Sequence, residues 1–447
     1  MAIAAGTVWE ARITGPASNA GGGGFVPGLA SPGTDFSQQD TVQYALTGVT
    51  TAAADAILLH ASAAADMKDN ILNITGGTNF TVGRYQVLSV VVGVSITLDR
   101  NCTTAAGAAG VVNIGGALSL GSADDAVFEA MEAGNKMHIK SGAYTLGGAV
   151  SVTKDGTYAS PINIEGYNTT RGDNPAFANC PSIACAANTF EFAGDFYNFK
   201  NLVVTITSIL GFDIGTGAIL ENIKCTNSSA TANRAAITGG AGARLIGAEA
   251  VSTNGMAVSV IADHMLIMGG YFHDSVTGIN IGITDGCKAI ACIIDTCTIG
   301  ISCGTSPFYG TINNCTLYNG TTAITLTHAG ALYITIMNNI FHTFTDGIKS
   351  TNLIPCDFGD YNKFFTVTNP YVNFTAGAND STTTDPGFVD APNGNFAIGT
   401  ALKATGFPGA FPGGLSTGYL DPGAVQRQEG GSSGGARIMA NGSVSGG

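Results

Sequence analysis

From residue 197 to residue 370 the chain repeats one short pattern of alternating apolar and polar positions. The segments FKNLVVT, LENIKCT, LIGAEAV, IMGGYFH, AIACIID, INNCTLY, MNNIFHT and DYNKFFT carry it. Their third residues are Asn201, Asn222, Gly247, Gly269, Ala291, Asn314, Asn339 and Asn362, spaced 21 to 25 residues apart with a mean of 23. A second apolar run follows each at the same period, at Phe212, Ala236, Val258, Ile279, Ile301, Ile324 and Ile348. Two ladders sharing one period predict stacked structural repeats. Each repeat is rich in Val, Ile, Thr and aromatic residues and is punctuated by Gly, Asn and Asp, the grammar of strand, turn and strand. No repeat leaves room for a helix of about ten residues. Coils of this kind stack into a parallel β-solenoid, in which each backbone group pairs with the coil above or below.

The faces follow from the alternation. One position after each reference residue stand Leu202, Ile223, Ala248, Gly270, Cys292, Cys315 and Ile340, small or aliphatic and therefore inward. Two positions after stand Val203, Lys224, Glu249, Tyr271, Ile293, Thr316 and Phe341, a mixed set predicted to face outward. The third set, from Val204 and Cys225 to Leu317 and His342, is mostly apolar and predicted inward, which makes His342 a core residue. Asn at five of the eight reference positions predicts a turn ladder with stacked amides and left-handed backbone.

Composition agrees with such a fold and removes several functions. The chain of 447 residues holds 63 Gly, and only 11% of its residues are charged, against roughly 25% in an average soluble protein. Its net charge is −13, and its 18 basic residues never cluster, so a nucleic-acid partner is excluded. No apolar run reaches the length of a membrane-spanning helix, and no membrane insertion is expected. The first residues, MAIAAGTVWEARITG, lack the basic and apolar regions of a secretory leader, which predicts synthesis in a host cytoplasm, with the virion as the expected location. Ten Cys diluted over this length read as reduced, small hydrophobic residues. Cys287, Cys292, Cys297 and Cys303 lack a His partner at zinc spacing, so neither a metal nor a cofactor is expected.

These features resemble the right-handed parallel β-helix proteins of the pectate-lyase-like superfold. ADDAVFEAMEAGN, at 123–135, reads as an amphipathic cap helix, and MHIKSGAYTL and SPINIEGYNTTRGDNP read as the first coils. DPGFVDAPNGNFAIG and STGYLDPGAVQ are similar to the closing segments of such proteins. The expected fold class is all-β, a right-handed parallel β-helix of about 23 residues per coil with an N-terminal cap helix. The expected organisation is a β-rich N-terminal module at 1–122, the β-helix at 123–370, a closing segment at 371–426 and a Gly/Ser-rich tail at 427–447. Within the first module, strands are predicted at 56–61, 70–75 and 85–100, and the module is expected to cover the first coil. This module resembles leader segments of bacteriophage structural proteins.

The superfold includes pectate lyases, polygalacturonases and phage tailspike glycanases. The resemblance implies acidic Ca²⁺ ligands with an Arg or Lys base for lyases, but Arg234 and Arg244 align with no carboxylate pair. The hydrolase motifs that it implies are also absent: Asp124-Asp125 lies in the cap helix, and Asp274 and Asp295 differ in offset by one residue. No catalytic residue is therefore assigned, and the chain is expected not to be an enzyme. The best outward constellation is His273, Asp295 and Tyr318 on three successive coils, joined by Tyr271 and Phe341. It reads either as a glycan-binding strip or as a subunit interface. The resulting expectation is a bacteriophage virion protein, a homotrimeric capsid decoration or spike without catalysis. The alternative is a receptor-binding tailspike, or a β-helix lyase or hydrolase, acting on a host cell-surface glycan.

Overall fold

A computed structural model describes residues 8–11, 24–25, 32–33, 44–407 and 421–426, with breaks at 69–70, 115–119, 121–127, 130, 170, 186–188, 208–210, 283–284, 305–307, 328–331 and 352–357. It falls into two compact units, Met1–Ala187 with Ala193–Val203, and Asn188–Phe192 with Val204–Gly447.

The first unit contains an antiparallel sheet of six strands in the order Tyr44–Val49, Thr103–Ile114, Ile71–Phe80, Gly83–Val91, Ser95–Leu98 and Ile57–Leu59. Backbone hydrogen bonds between Thr50 and Leu59 join its two ends, which satisfies the edges that an open sheet would leave bare. Val49, Leu58, Leu72, Val87, Ile96 and Val112 fill its interior. The strand predicted at 85–100 is in fact a hairpin. Gly93, at φ +70°, reverses the chain between Val91 and Ser95. The same unit holds parallel strands at Val8–Ala11, Lys136–Lys140, Ile162–Tyr167 and Tyr197–Ile206. Val8–Ala11 thus pairs with the first coil, with Trp9 buried and its indole N–H donating to Asn135 Oδ1 at 3.0 Å. Most of the expected cap helix lies outside the described residues; Phe128 and Glu129 are helical, and Phe128 is buried.

In the second unit the parallel β-solenoid is laid out in three rows of strands. One row runs through Glu249–Ser252, Tyr271–His273, Ile293–Asp295, Thr316–Leu326, Ile340–Ser350 and Lys363–Val372. A second runs through Met256–Val260, Thr277–Ile281 and Ile299–Cys303, and a third through Arg244–Ile246, Leu266–Met268, Cys287–Ile290, Phe308–Asn313 and Leu332–Met337. Every pairing is parallel and in register, as the 23-residue period requires.

A left-handed residue precedes the first row on every coil. These residues are Asn201, Asn222, Gly247, Gly269, Ala291, Asn314, Asn338 and Tyr361, all with φ between 52° and 65°. Asn and Gly tolerate this region, which explains their recurrence in the sequence. The kink also carries the backbone ladder: the Gly269 N–H donates to Ile290 O, Ala291 to Asn313 O, Asn314 to Met337 O and Asn338 to Asp360 O. A second left-handed series recurs five residues later, at Asp274, Thr296, Asn319, Thr343 and Thr366; it follows the short strands Tyr271–His273 and Ile293–Asp295 and lies within the longer ones.

The last two coils correct the sequence reading. Their kinks fall at Asn338 and Tyr361, one residue before Asn339 and Asn362. Because side chains alternate along a strand, this single step exchanges the faces of all that follows. Phe341, predicted outward, is fully buried and stacks on Phe364 at 4.7 Å, continuing the inward row Phe272, Ile294 and Leu317. His342, predicted inward, faces outward beside Tyr318 and Phe365. The stacked amides occur one residue inside the kink: Asn339 Nδ2 donates to Asn362 Oδ1 at 3.0 Å, and Asn339 Oδ1 accepts the Cys315 N–H at 2.8 Å. Both amides are buried and bonded to neighbouring backbone, so they lock the register from within.

Phe341→Ala is therefore expected to destabilise the fold by about 3–5 kcal/mol, the cost of truncating a buried aromatic residue. A residue on an exposed face would cost at most about 0.5 kcal/mol. Denaturant midpoints of the two proteins distinguish the cases.

Candidate functional site

Two columns of side chains project from the outer face of the first row. One passes through Lys224, Glu249, Tyr271, Ile293, Thr316, Ile340 and Lys363. The other passes through Val251, His273, Asp295, Tyr318, His342 and Phe365. Parallel register therefore brings His273, Asp295 and Tyr318 into one column, as their spacing predicts, and sets Tyr271 beside them. Phe341 is absent from this face because it points into the core.

A polar cluster occupies the coils of Lys224 to Asp295. Lys224 Nζ lies 2.6 Å from Glu249 Oε1, and His273 Nε2 reaches the same oxygen at 3.3 Å. His273 Nδ1 faces Asp274 Oδ2 at 2.8 Å. With a carboxylate oxygen at each ring nitrogen, the imidazole is best satisfied as a double donor, the imidazolium. Burial works against that charge, but Glu249 and Asp274 outweigh it and raise the His273 pKa. Its ring stacks on Tyr271 at 4.3 Å and 21°. On the far side of this plate the Tyr271 hydroxyl donates to Asp295 Oδ2 at 3.0 Å, and Thr296 Oγ1 donates to Asp295 Oδ1 at 2.7 Å.

The two carboxylates flanking the plate are driven in opposite directions. For Asp295, burial outweighs the hydrogen bonds from Thr296 and Tyr271 and raises its pKa. For Glu249, burial is outweighed by the hydrogen bonds and charges of His273 and Lys224, which hold its pKa below the ordinary carboxylate value. The two carboxyl pKa values are thus pushed apart, a division that acid catalysis exploits. Sequence reasoning placed Glu249 only in the outward set beside Lys224 and set Asp274 aside as out of line with Asp295; neither was assigned to the site. The Lys224–Glu249 pair was legible as adjacent outward charges, but the link to His273 was not, since it depends on side-chain reach across two columns.

The later part of the same face is covered by the chain itself. Residues 385–407 and 421–426 form a strap whose Phe388 and Phe396 lie 6.1 and 5.4 Å from the Tyr318 ring. Ala391 and Ala424 pack with Ile293, and Ile398 and Leu402 with Ile340. Tyr318 therefore serves as a seat for the strap, and His342 lies under Phe388 at 5.5 Å. An aromatic strip open along its whole length, the picture from spacing alone, is reduced to the stretch between Lys224 and Asp295.

A second carboxylate pair stands elsewhere in this unit. Glu191 and Asp213 are in register on adjacent strands. Burial first, and the Glu191 charge second, push the Asp213 pKa up to about 6. The column continues from Asp213 to Thr238 on the next strand.

Comparisons with known proteins bear on the fold. No protein-family model and no curated protein matches the chain. Among solved structures, pectate lyase Pel9A is similar at 14% identity with a TM-score of 0.45, covering 70% of this chain and 92% of its own. The Agl-KA catalytic domain is similar at 12% identity and a TM-score of 0.30, covering 78% and 89%. The catalytic unit of a GH87 α-1,3-glucanase from Streptomyces thermodiastaticus strain HF3-3 is similar at 10% identity and a TM-score of 0.33, covering 78% and 87%. These likenesses agree with the parallel β-helix. The expectation of a non-enzyme, drawn from missing motifs, is set aside: the chains similar in fold are a pectate lyase and catalytic portions of enzymes. The virion and homotrimer expectations concern surfaces beyond a single chain.

The raised pKa of Asp213 has a definite sign in stability. Between the unfolded carboxyl value near 4 and about 6, the folded state holds the proton that the unfolded state has lost, so stability falls as pH rises through that window. Asp213→Asn is expected to stabilise the protein at pH 7 relative to wild type and to leave it unchanged at pH 3.5. Unfolding midpoints at the two pH values check this; an equal effect at both would show that the charge is not responsible.

Proposed function

We propose that the chain is a glycan-cleaving β-helix protein whose site is the outer face between Lys224 and Asp295. The observation that carries this reading is the division between Glu249 and Asp295 across the Tyr271–His273 plate. Glycosidic cleavage needs one carboxyl group to protonate the leaving oxygen and another, ionised, to face the positive charge that develops on the sugar ring. Asp295 suits the first role, because burial raises its pKa above the ordinary aspartate value. Glu249 suits the second, because Lys224 and His273 keep it anionic. The half-buried Tyr271 ring, stacked on His273 and packed beside Ile293, leaves an apolar edge for a pyranose, with its hydroxyl tied to the acid.

The reading defines a pH profile. Activity requires Glu249 ionised and Asp295 protonated, so it is expected to rise through the depressed pKa of Glu249 and to fall through the raised pKa of Asp295. The optimum lies on the acid side of neutrality. On a panel of neutral and acidic polysaccharides, reducing ends are expected from at least one. Asp295→Asn is expected to lower kcat by about 10²–10⁴, the range for a general acid. Glu249→Gln is expected to remove the acid limb of the profile along with most of the rate. Cleavage that persists at the wild-type rate in Asp295→Asn would eliminate this site, and absence of cleavage across the panel would eliminate the enzymatic reading.

A further inference from the structure

The strap does more than close the fold, because its tip ends at the proposed site. The hairpin at its tip is held by the Asp390–Asn395 bridge and by the Val389 N–H donating to Ala397 O at 3.0 Å. Gly394 at the turn sits against Tyr271, such that a Cβ there would lie 3.9 Å from the tyrosine hydroxyl. Ala391 and Phe396 cover Ile293, the next residue of the Tyr271 column. Beyond that point the face is filled by Phe388, Ile398 and Leu402.

The strap is a fixed part of the fold. Asp421 is fully buried, and its carbonyl accepts Asn338 Nδ2 at 3.0 Å. The Ala424 N–H donates to Thr316 Oγ1 at 2.9 Å, and the Gly423 N–H to Asn338 O at 2.8 Å. Removing any of these bonds strands a buried polar group, which opposes opening of the strap. Successive coils are about 4.8 Å apart, so the three steps from Lys224 to Ile293 span about 14 Å. A polymer laid along this stretch meets the strap at one end and has no path past it.

We infer that the strap makes the face a dead end, so that the protein acts on the terminus of a glycan chain and not on its interior. The inference rests on the proposed function and specifies its mode. A polymer seated with its terminus against residues 391–396 would present the bond nearest Asp295, a fixed number of sugar units from the end.

The test follows a polysaccharide cleaved by the full chain, with product length and solution viscosity measured over time. The expected result is a single short product from the earliest time, with viscosity falling slowly in proportion to sugar released. A ladder of mixed lengths with early loss of viscosity would overturn the inference while leaving the proposed function intact. No product from any glycan would overturn the proposed function itself. A second protein, with residues 391–394 replaced by Gly-Gly as a two-residue hairpin loop, shortens the tip. If it melts cooperatively, its products are expected to broaden to mixed lengths, and an unchanged single product would overturn the inference. If it does not fold, the time course of the full chain decides alone.

Discussion

Each coil of the solenoid is bonded to the next through a backbone ladder that passes directly across a left-handed kink, and the position of every outward side chain is set by that register. A parallel stack has no hairpin to hold one strand against its neighbour, so pairing is fixed by long-range contacts alone. The kink supplies the missing reference point: its N–H finds the carbonyl of the next coil only when the two kinks are aligned. Gly and Asn make the turn cheaply, whereas Ala291 and Tyr361 adopt it at a cost that the surrounding hydrogen bonds offset. The buried Asn339–Asn362 pair adds a second lock beside the kinks at Asn338 and Tyr361, the latter a residue poorly suited to the turn.

The same ladder explains the electrostatics of the surface. Residues in one column are about 4.8 Å apart whatever their charge. Where two acids meet, as at Glu191 and Asp213, burial and repulsion raise the pKa of Asp213 to about 6. Where Lys224 and His273 flank an acid, as at Glu249, the anion is held instead. Asp295 has two hydrogen-bond donors but no cation at bonding distance, and burial prevails there. The low charge content of the chain matters here, because each charged column is read against an otherwise neutral face.

Much of this arrangement was legible before folding. The period, the left-handed turns and the His273–Asp295–Tyr318 column follow from spacing, because parallel strands of constant period place equal offsets in line. The misassignment of Phe341 and His342 has a local cause. The Asn338-Asn339 doublet offers two equivalent reference positions, and the choice between them exchanges the faces of the strand that follows. Glu249 was visible as the partner of Lys224, but its contact with His273 crosses between columns and has no signature in offsets. Missing motifs are a poor guide to missing catalysis for a related reason, since residues in neighbouring columns come together without forming a contiguous motif.

The sequence by itself determined the repeat, because a strand-turn-strand coil of this length buries its apolar positions only by stacking on copies of itself. It also determined which residues share a column, wherever the kink was unambiguous. Tertiary structure alone decided which part of the outer face stays open. The strap reaches back across the coils through contacts such as Asn314 to Asp421, 107 residues apart, and no periodicity specifies where such a segment lands. Its landing place depends on the fit of Phe388, Phe396 and Ala391 against Tyr318 and Ile293, a matter of shape complementarity that exists only once the coils have stacked.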